Sequence, residues 1–126
     1  MMTASLLSIT PVSAAASIQS PYQIDGAYVY GSTATHDTST EKYVTATTVH
    51  KLYSTKAVSV RGYYYLYSNF YSTLTKSKSG YDVSYVTVRV DCPADSSPCG
   101  SIGTHSVTGS SGSWSGSTSV GTTSMK

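Results

Sequence analysis

Between Lys56 and Cys92 the chain carries two segments that alternate residue by residue, and this constrains its folding more than any other feature. In the first segment Val58, Val60, Tyr64 and Leu66 share one parity, and Ser59, Arg61, Tyr63, Tyr65 and Tyr67 share the other. In the second, Val86, Val88 and Val90 run in phase with Cys92, against Tyr81, Val83, Tyr85, Thr87, Arg89 and Asp91. Period-two alternation of this length marks half-buried β-strands. The faces are well specified, because a one-residue slip would exchange them. The valine faces are the expected core. If the two strands pair antiparallel, Tyr63, Tyr65 and Tyr67 lie on one face with Tyr81 and Tyr85, flanked by Arg61 and Arg89. Tyr carries a flat apolar ring with a polar tip, and rows of it among small polar residues suit recognition. This Tyr/Arg face is the expected ligand-binding surface, for an extracellular glycan or protein. A covered row of good β-formers is the plainer alternative.

Further strands flank this centre. Lys42–Tyr53 is dense in β-branched residues and reads as a strand. Pro21–Gly31 reads as another, bent at Asp25-Gly26. The polar run Ser32–Glu41 reads as a loop, and Asn69–Gly80 as the longest connection in the sheet, with Phe70, Tyr71 and Leu74 packing as one helical turn. After Cys99 the chain becomes Gly/Ser-rich, with a turn at Ser110–Ser113 and a last edge strand, Trp114–Val120.

Cys92 and Cys99 bracket Pro93, Asp95, Ser96, Ser97 and Pro98, all turn formers. A disulfide here would close a hairpin loop and fix its register, contributing roughly 2 kcal/mol through loop closure. Residues 1–16 carry a mildly apolar stretch followed by Ser13-Ala14-Ala15-Ala16-Ser17, the small-residue pattern of a secretion signal cleaved after Ala14 or Ala16. No Lys or Arg precedes Lys42, so the basic start of such a signal is missing. Residues 17–126 then form one domain.

Charged residues are 11% of the chain and the net charge is +2, which gives no basis for a nucleic-acid partner. No apolar run is long enough for a membrane span. About a third of the residues are Ser or Thr, so hydroxyl groups rather than charges face water. One Glu and five Asp offer no paired carboxylates at acid/base spacing, and His36, His50 and His105 share no ligand spacing. No catalytic residue, metal or cofactor is therefore assigned, and no enzyme activity is expected.

These observations together predict a small secreted all-β protein, an antiparallel β-sandwich of five to seven strands with one disulfide-closed hairpin loop. Its expected role is that of a binding or surface module. Two alternatives stand beside it. One is a secreted antagonist, a bacteriocin-like toxin or protease inhibitor, acting through the Cys92–Cys99 loop. The other is an extracellular subunit that self-associates through strand edges poor in charge.

Overall fold

The computed structural model describes residues 12–66 and 69–121, with the side chains of residues 12, 13, 70–74 and 99 left aside. Among the described residues there are eight strands and no helix: β1 (Val12–Gln19), β2 (Tyr30–Asp37), β3 (Lys42–Val49), β4 (Thr55–Leu66), β5 (Asn69–Tyr81), β6 (Tyr85–Asp91), β7 (Ser96–Gly109) and β8 (Gly112–Gly121). They form two four-stranded sheets, ordered β1-β2-β3-β6 and β5-β4-β7-β8, with every ladder antiparallel. The sheets face each other as a sandwich, β2 and β3 lying over β7, and β4 over β6.

Alternation decides what each strand buries. β6 follows a strict exposed–buried pattern that sends Val86, Val88 and Val90 inward. They meet Val44 and Ala46 of β3 and Val58 and Val60 of β4 in one cluster. A second cluster, Ile24, Val29, Val107 and Trp114, closes the sandwich toward β1 and β8. The layer between the two clusters is polar. Thr33 donates to Thr45 O at 2.8 Å and its hydroxyl lies 2.7 Å from Ser101 Oγ. The buried His105 ring spans the sheets, with Nδ1 3.0 Å from Thr48 Oγ1 and Nε2 2.8 Å from Thr118 Oγ1. Thr48 gives its own proton to Ala57 O, so it accepts from His105 Nδ1–H, and in the neutral ring Nε2 accepts from Thr118. The ring needs room on β2, where a Cβ on Gly31 would stand 2.6 Å from it.

Two segments read as connections are strands. Ser32–Asp37 belongs to β2, which shows no apolar inner face because Gly31, Thr33 and Thr35 line the polar layer. Asn69–Tyr81 is β5, an edge strand; the side chains of Phe70, Tyr71 and Leu74 lie outside what is described. Its alternation is masked by Lys76 and Lys78, which sit at the inner parity opposite Val60 and Val58 yet remain exposed at the open side. Inward-pointing lysines on an edge are a known guard against strand addition. Residues 21–29, read as a strand, are instead an excursion with a single Ile24–Ala27 bridge around Asp25-Gly26, both at positive φ. The proposed cleavage positions, after Ala14 and Ala16, fall within β1, which is paired with β2 from Val12 to Gln19.

Strand register also defines two ends. Gln19, Tyr30, Val49 and Tyr85 lie side by side at one end of the first sheet, and Tyr81, Thr55, Thr108 and Ser113 at the same end of the second. The connections 20–29, 50–54, 82–84 and 110–111 gather there. Connections 38–41 and 92–95 lie at the far end.

Candidate functional site

The expected Tyr/Arg face does not form, because its two strands are in different sheets. β4 pairs with β5 and β7, whereas β6 pairs with β3. Tyr63 is 2% exposed. A bulge shifts the β4 register at Gly62–Tyr63 against β5 and at Tyr63–Tyr64 against β7, and both tyrosines are buried. Arg61 donates to the Tyr63 hydroxyl at 3.2 Å. Tyr65 is partly exposed near the far end, and Tyr67 lies outside the described residues. Arg89 sits on the outer face of the first sheet, 3.6 Å from the Tyr43 ring centre. The His36 ring stacks with Tyr43 at 4.3 Å, and Asp91 holds Arg89 through Nε and Nη2 at 2.9 and 2.8 Å. That hydrogen bond holds the guanidinium pKa above its ordinary value.

Of the expected set, Tyr81 and Tyr85 come together at one end of the sandwich, among exposed side chains outside that set. Tyr22, Tyr28, Tyr30, Leu52, Tyr53, Tyr81, Val83 and Tyr85 are all exposed at one end of the sandwich. Tyr53 and Tyr81 are the most open, at 70% and 69%, and Tyr85 is 59% exposed. Tyr30, Val49 and Tyr85 are consecutive cross-strand neighbours on one face. Strand spacing therefore sets the two tyrosines roughly 10 Å apart. A groove of about 750 Å³ opens beside this row, between the edges of β5 and β6, lined by Lys78, Gly80, Tyr81, Val83, Tyr85 and Val86 among others. A smaller cavity of about 150 Å³ lies on the other side of the row, lined by Ala27, Tyr28, Tyr30, Val49, His50 and Lys51. Gly80 keeps the groove open to its floor: a Cβ there would come within 2.9 Å of Val83 and 3.0 Å of Val86.

A buried polar network holds this aromatic end in place. Lys56 is fully buried, and its ammonium donates to Leu52 O at 2.9 Å, Ser54 O at 3.3 Å and Ser54 Oγ at 3.1 Å. Burial lowers its pKa, and the nearby Asp82 carboxylate opposes that shift. Ser54 Oγ lies 2.9 Å from His50 Nδ1, and His50 Nε2 donates to Ile24 O at 2.8 Å. The network links the 50–54 loop to the 20–29 excursion. A Ser hydroxyl beside a His nitrogen is a nucleophile–base geometry. Here both groups are buried, and the pair braces the 50–54 loop against Ile24. On the surface, the Asp25 carboxylate accepts from Ser110 N and Oγ and from Ser111 N, while Asp25 N donates to Ser111 Oγ. The Ser111 bonds do most to lower the Asp25 pKa. No group of three or more His, Cys, Asp or Glu side chains that could hold a metal occurs among the described residues.

At the far end the Pro93–Ser96 turn is closed by Ser96 N donating to Pro93 O at 3.0 Å. Cys92 is half-buried there, and Cys99 lies in β7, its side chain outside what is described. A sequence signal for the aromatic end did exist. Tyr28, Tyr30, Tyr53, Tyr81 and Tyr85 all sit within a few residues of Gly, Ser or Asp turn formers. Comparison of the chain with protein-family models, with curated proteins and with solved structures finds no match in any of the three.

Proposed function

We propose that the protein is a secreted recognition module that binds a linear glycan across its aromatic end. The observation that carries this reading is the Tyr30–Val49–Tyr85 row, in register, with both tyrosines exposed, and bordered by a groove on one side and a cavity on the other. Sugar rings present an apolar C–H face to an aromatic ring and hydroxyls to its surroundings. Tyrosine meets both needs, with its ring and its phenol. The row is mounted on paired strands and backed by the Lys56 network, so little ordering entropy is left to lose on binding.

The test is binding of the purified protein to glycans and cell walls, with Tyr30→Ala, Tyr53→Ala, Tyr81→Ala and Tyr85→Ala beside it. The folding of each is checked by circular dichroism. Loss of binding in folded Tyr30 and Tyr85 variants is the expected result. Binding that survives all four substitutions would move the site elsewhere and end this reading.

Two further features belong to the proposal. Export would be seen as protein in the medium whose sequence starts at Ala15 or Ser17; an uncleaved chain retained in the cell would contradict it. A Cys92–Cys99 disulfide would staple the far-end loop. Thiol titration of the unfolded, unreduced protein should find no reactive cysteine, and two free thiols would remove the staple from the account.

A further inference from the structure

Charge at the aromatic end is distributed in a way the recognition reading does not require. Most cations among the described residues are engaged. Lys42 pairs with Asp37, Arg89 with Asp91, Arg61 donates to Tyr63, and Lys56 is buried in its network. Three exposed lysines remain, Lys51, Lys76 and Lys78, and no hydrogen-bond or ion-pair partner for them occurs among the described residues. Lys78 lines the groove beside Tyr81 and Tyr85, and Lys51 lines the cavity beside Tyr28 and Tyr30. Neither lining includes a carboxylate. The acids of this end are committed elsewhere: Asp25 to Ser110 and Ser111, and Asp82 outside the groove lining, with its field on Lys56. The far end contrasts with this, because the cavity at the start of β3 sets Glu41 and Asp91 against Lys42 and Arg89.

We infer that the glycan is acidic: a polymer whose sugar rings stack on Tyr30 and Tyr85 while its anionic groups pair with Lys51 and Lys78, one on each side of the row. This rests on the recognition reading and adds the ligand's charge to it. An unpaired ammonium at the rim of an aromatic groove costs nothing to leave in water, and it gains a charge-assisted bond when an anion docks beside the stacked ring. A neutral glycan would stack equally well and leave both lysines unused. Carboxylate, sulfate and phosphate sugars share the required chemistry, and the probes below separate them.

The full chain is titrated with polygalacturonate, its fully methyl-esterified form, a sulfated polysaccharide, a sugar-phosphate polymer, neutral dextran, and polyaspartate as a polyanion without sugar rings. Lys51→Gln, Lys78→Gln and the double variant are run beside the parent, with Lys42→Gln as a far-end control. Sedimentation confirms that each is monomeric to the same degree. At least one acidic polysaccharide should bind tenfold or more tightly than dextran and polyaspartate, and its affinity should fall as salt rises. If polygalacturonate is that polymer, methyl esterification should weaken it to a similar degree. The double variant should lose most of the preference, Lys78→Arg should keep it, and Lys42→Gln should leave it unchanged. Equal binding of neutral and acidic polymers, abolished by Tyr85→Ala but not by the double lysine variant, would overturn the acidic assignment and leave glycan recognition standing. Polyaspartate binding as tightly as the acidic polysaccharides would also overturn it. Binding of no glycan at all would remove the recognition reading itself.

Discussion

The two ends of the sandwich are built from opposite materials. The aromatic end exposes rings above a buried polar network, where Lys56, Ser54 and His50 tie the 50–54 loop to Ile24 O. The far end sets its charges in pairs, the half-buried Asp37–Lys42 and the exposed Arg89–Asp91, with the Arg89–Tyr43–His36 stack beside them. Exposed ion pairs contribute little because water screens them and long side chains must be ordered to make them. A buried, fully bonded ammonium is different. Removing it leaves its acceptors without donors in a dry site. The comparison teaches that the exposed tyrosines lie beside a loop tied by buried polar groups, while the far-end 38–41 turn is tied by bonds open to water.

The largest expected effect is at the aromatic end. Lys56→Met removes the donor from Leu52 O and Ser54 O and should cost about 3 kcal/mol in chemical denaturation, since each buried unsatisfied group costs roughly 1–3 kcal/mol. The amides of residues 50–54 should lose hydrogen-exchange protection while those of residues 38–41 keep theirs. Unchanged stability would erase the contrast between the ends.

The next effect tests the layer under both ends. Burial lowers the His105 pKa from 6.5 to about 4, against a smaller opposing hydrogen bond that the ring donates to the Thr47 backbone. A lowered histidine pKa means that the unfolded chain takes up a proton that the folded protein refuses. The stability contribution is thus complete above pH 6.5 and is lost as pH falls from 6.5 toward 4. The expected loss is on the order of 2 kcal/mol, seen as a falling urea midpoint. His105→Gln should be less stable at neutral pH but lose less across this window. A parallel pH slope in parent and variant would assign the acid sensitivity to other groups.

A smaller effect returns to the aromatic end. Asp25→Ala should free the 110–111 turn and lower the melting temperature. Asp25→Asn, which still accepts at one oxygen and tolerates positive φ, should do so less. Because the Asp25 pKa is lowered on folding, its contribution is present above pH 3.8 and disappears as pH falls through the folded value. Faster exchange at Ser110 and Ser111 confined to low pH is the expected readout.

The smallest effect is at the far end. A double-mutant cycle on the exposed Arg89 and Asp91 pair should give a coupling under about 1 kcal/mol, reduced by salt. A coupling as large as the Lys56 effect would show that the far end is also held by its polar contacts.

The valine faces of β4 and β6 were legible because apolar residues recur at every second position in a chain otherwise rich in hydroxyls. β2 and β5 were not, and the reasons are particular. β2 buries Gly31, Thr33 and Thr35 against a histidine, so its inner face carries no hydrophobic signal. β5 carries lysines at its inner parity, which stay exposed because β5 is an edge strand. Tyr63 escaped the parity rule through a bulge, a backbone event with no side-chain signature beyond Gly62.

Sequence by itself determined the all-β class, the parity of the valines, and the supply of tyrosines beside turns. These follow from local physics, because alternation and turn chemistry act between near neighbours. Tertiary structure alone decided that β4 and β6 occupy different sheets, and that Tyr30 and Tyr85 stand two strands apart on one face. It also decided that Lys56 is buried among the carbonyl and hydroxyl acceptors of the 50–54 loop. Strand pairing is a choice among distant segments with similar faces, settled by the packing of the whole sandwich, and no local pattern encodes it.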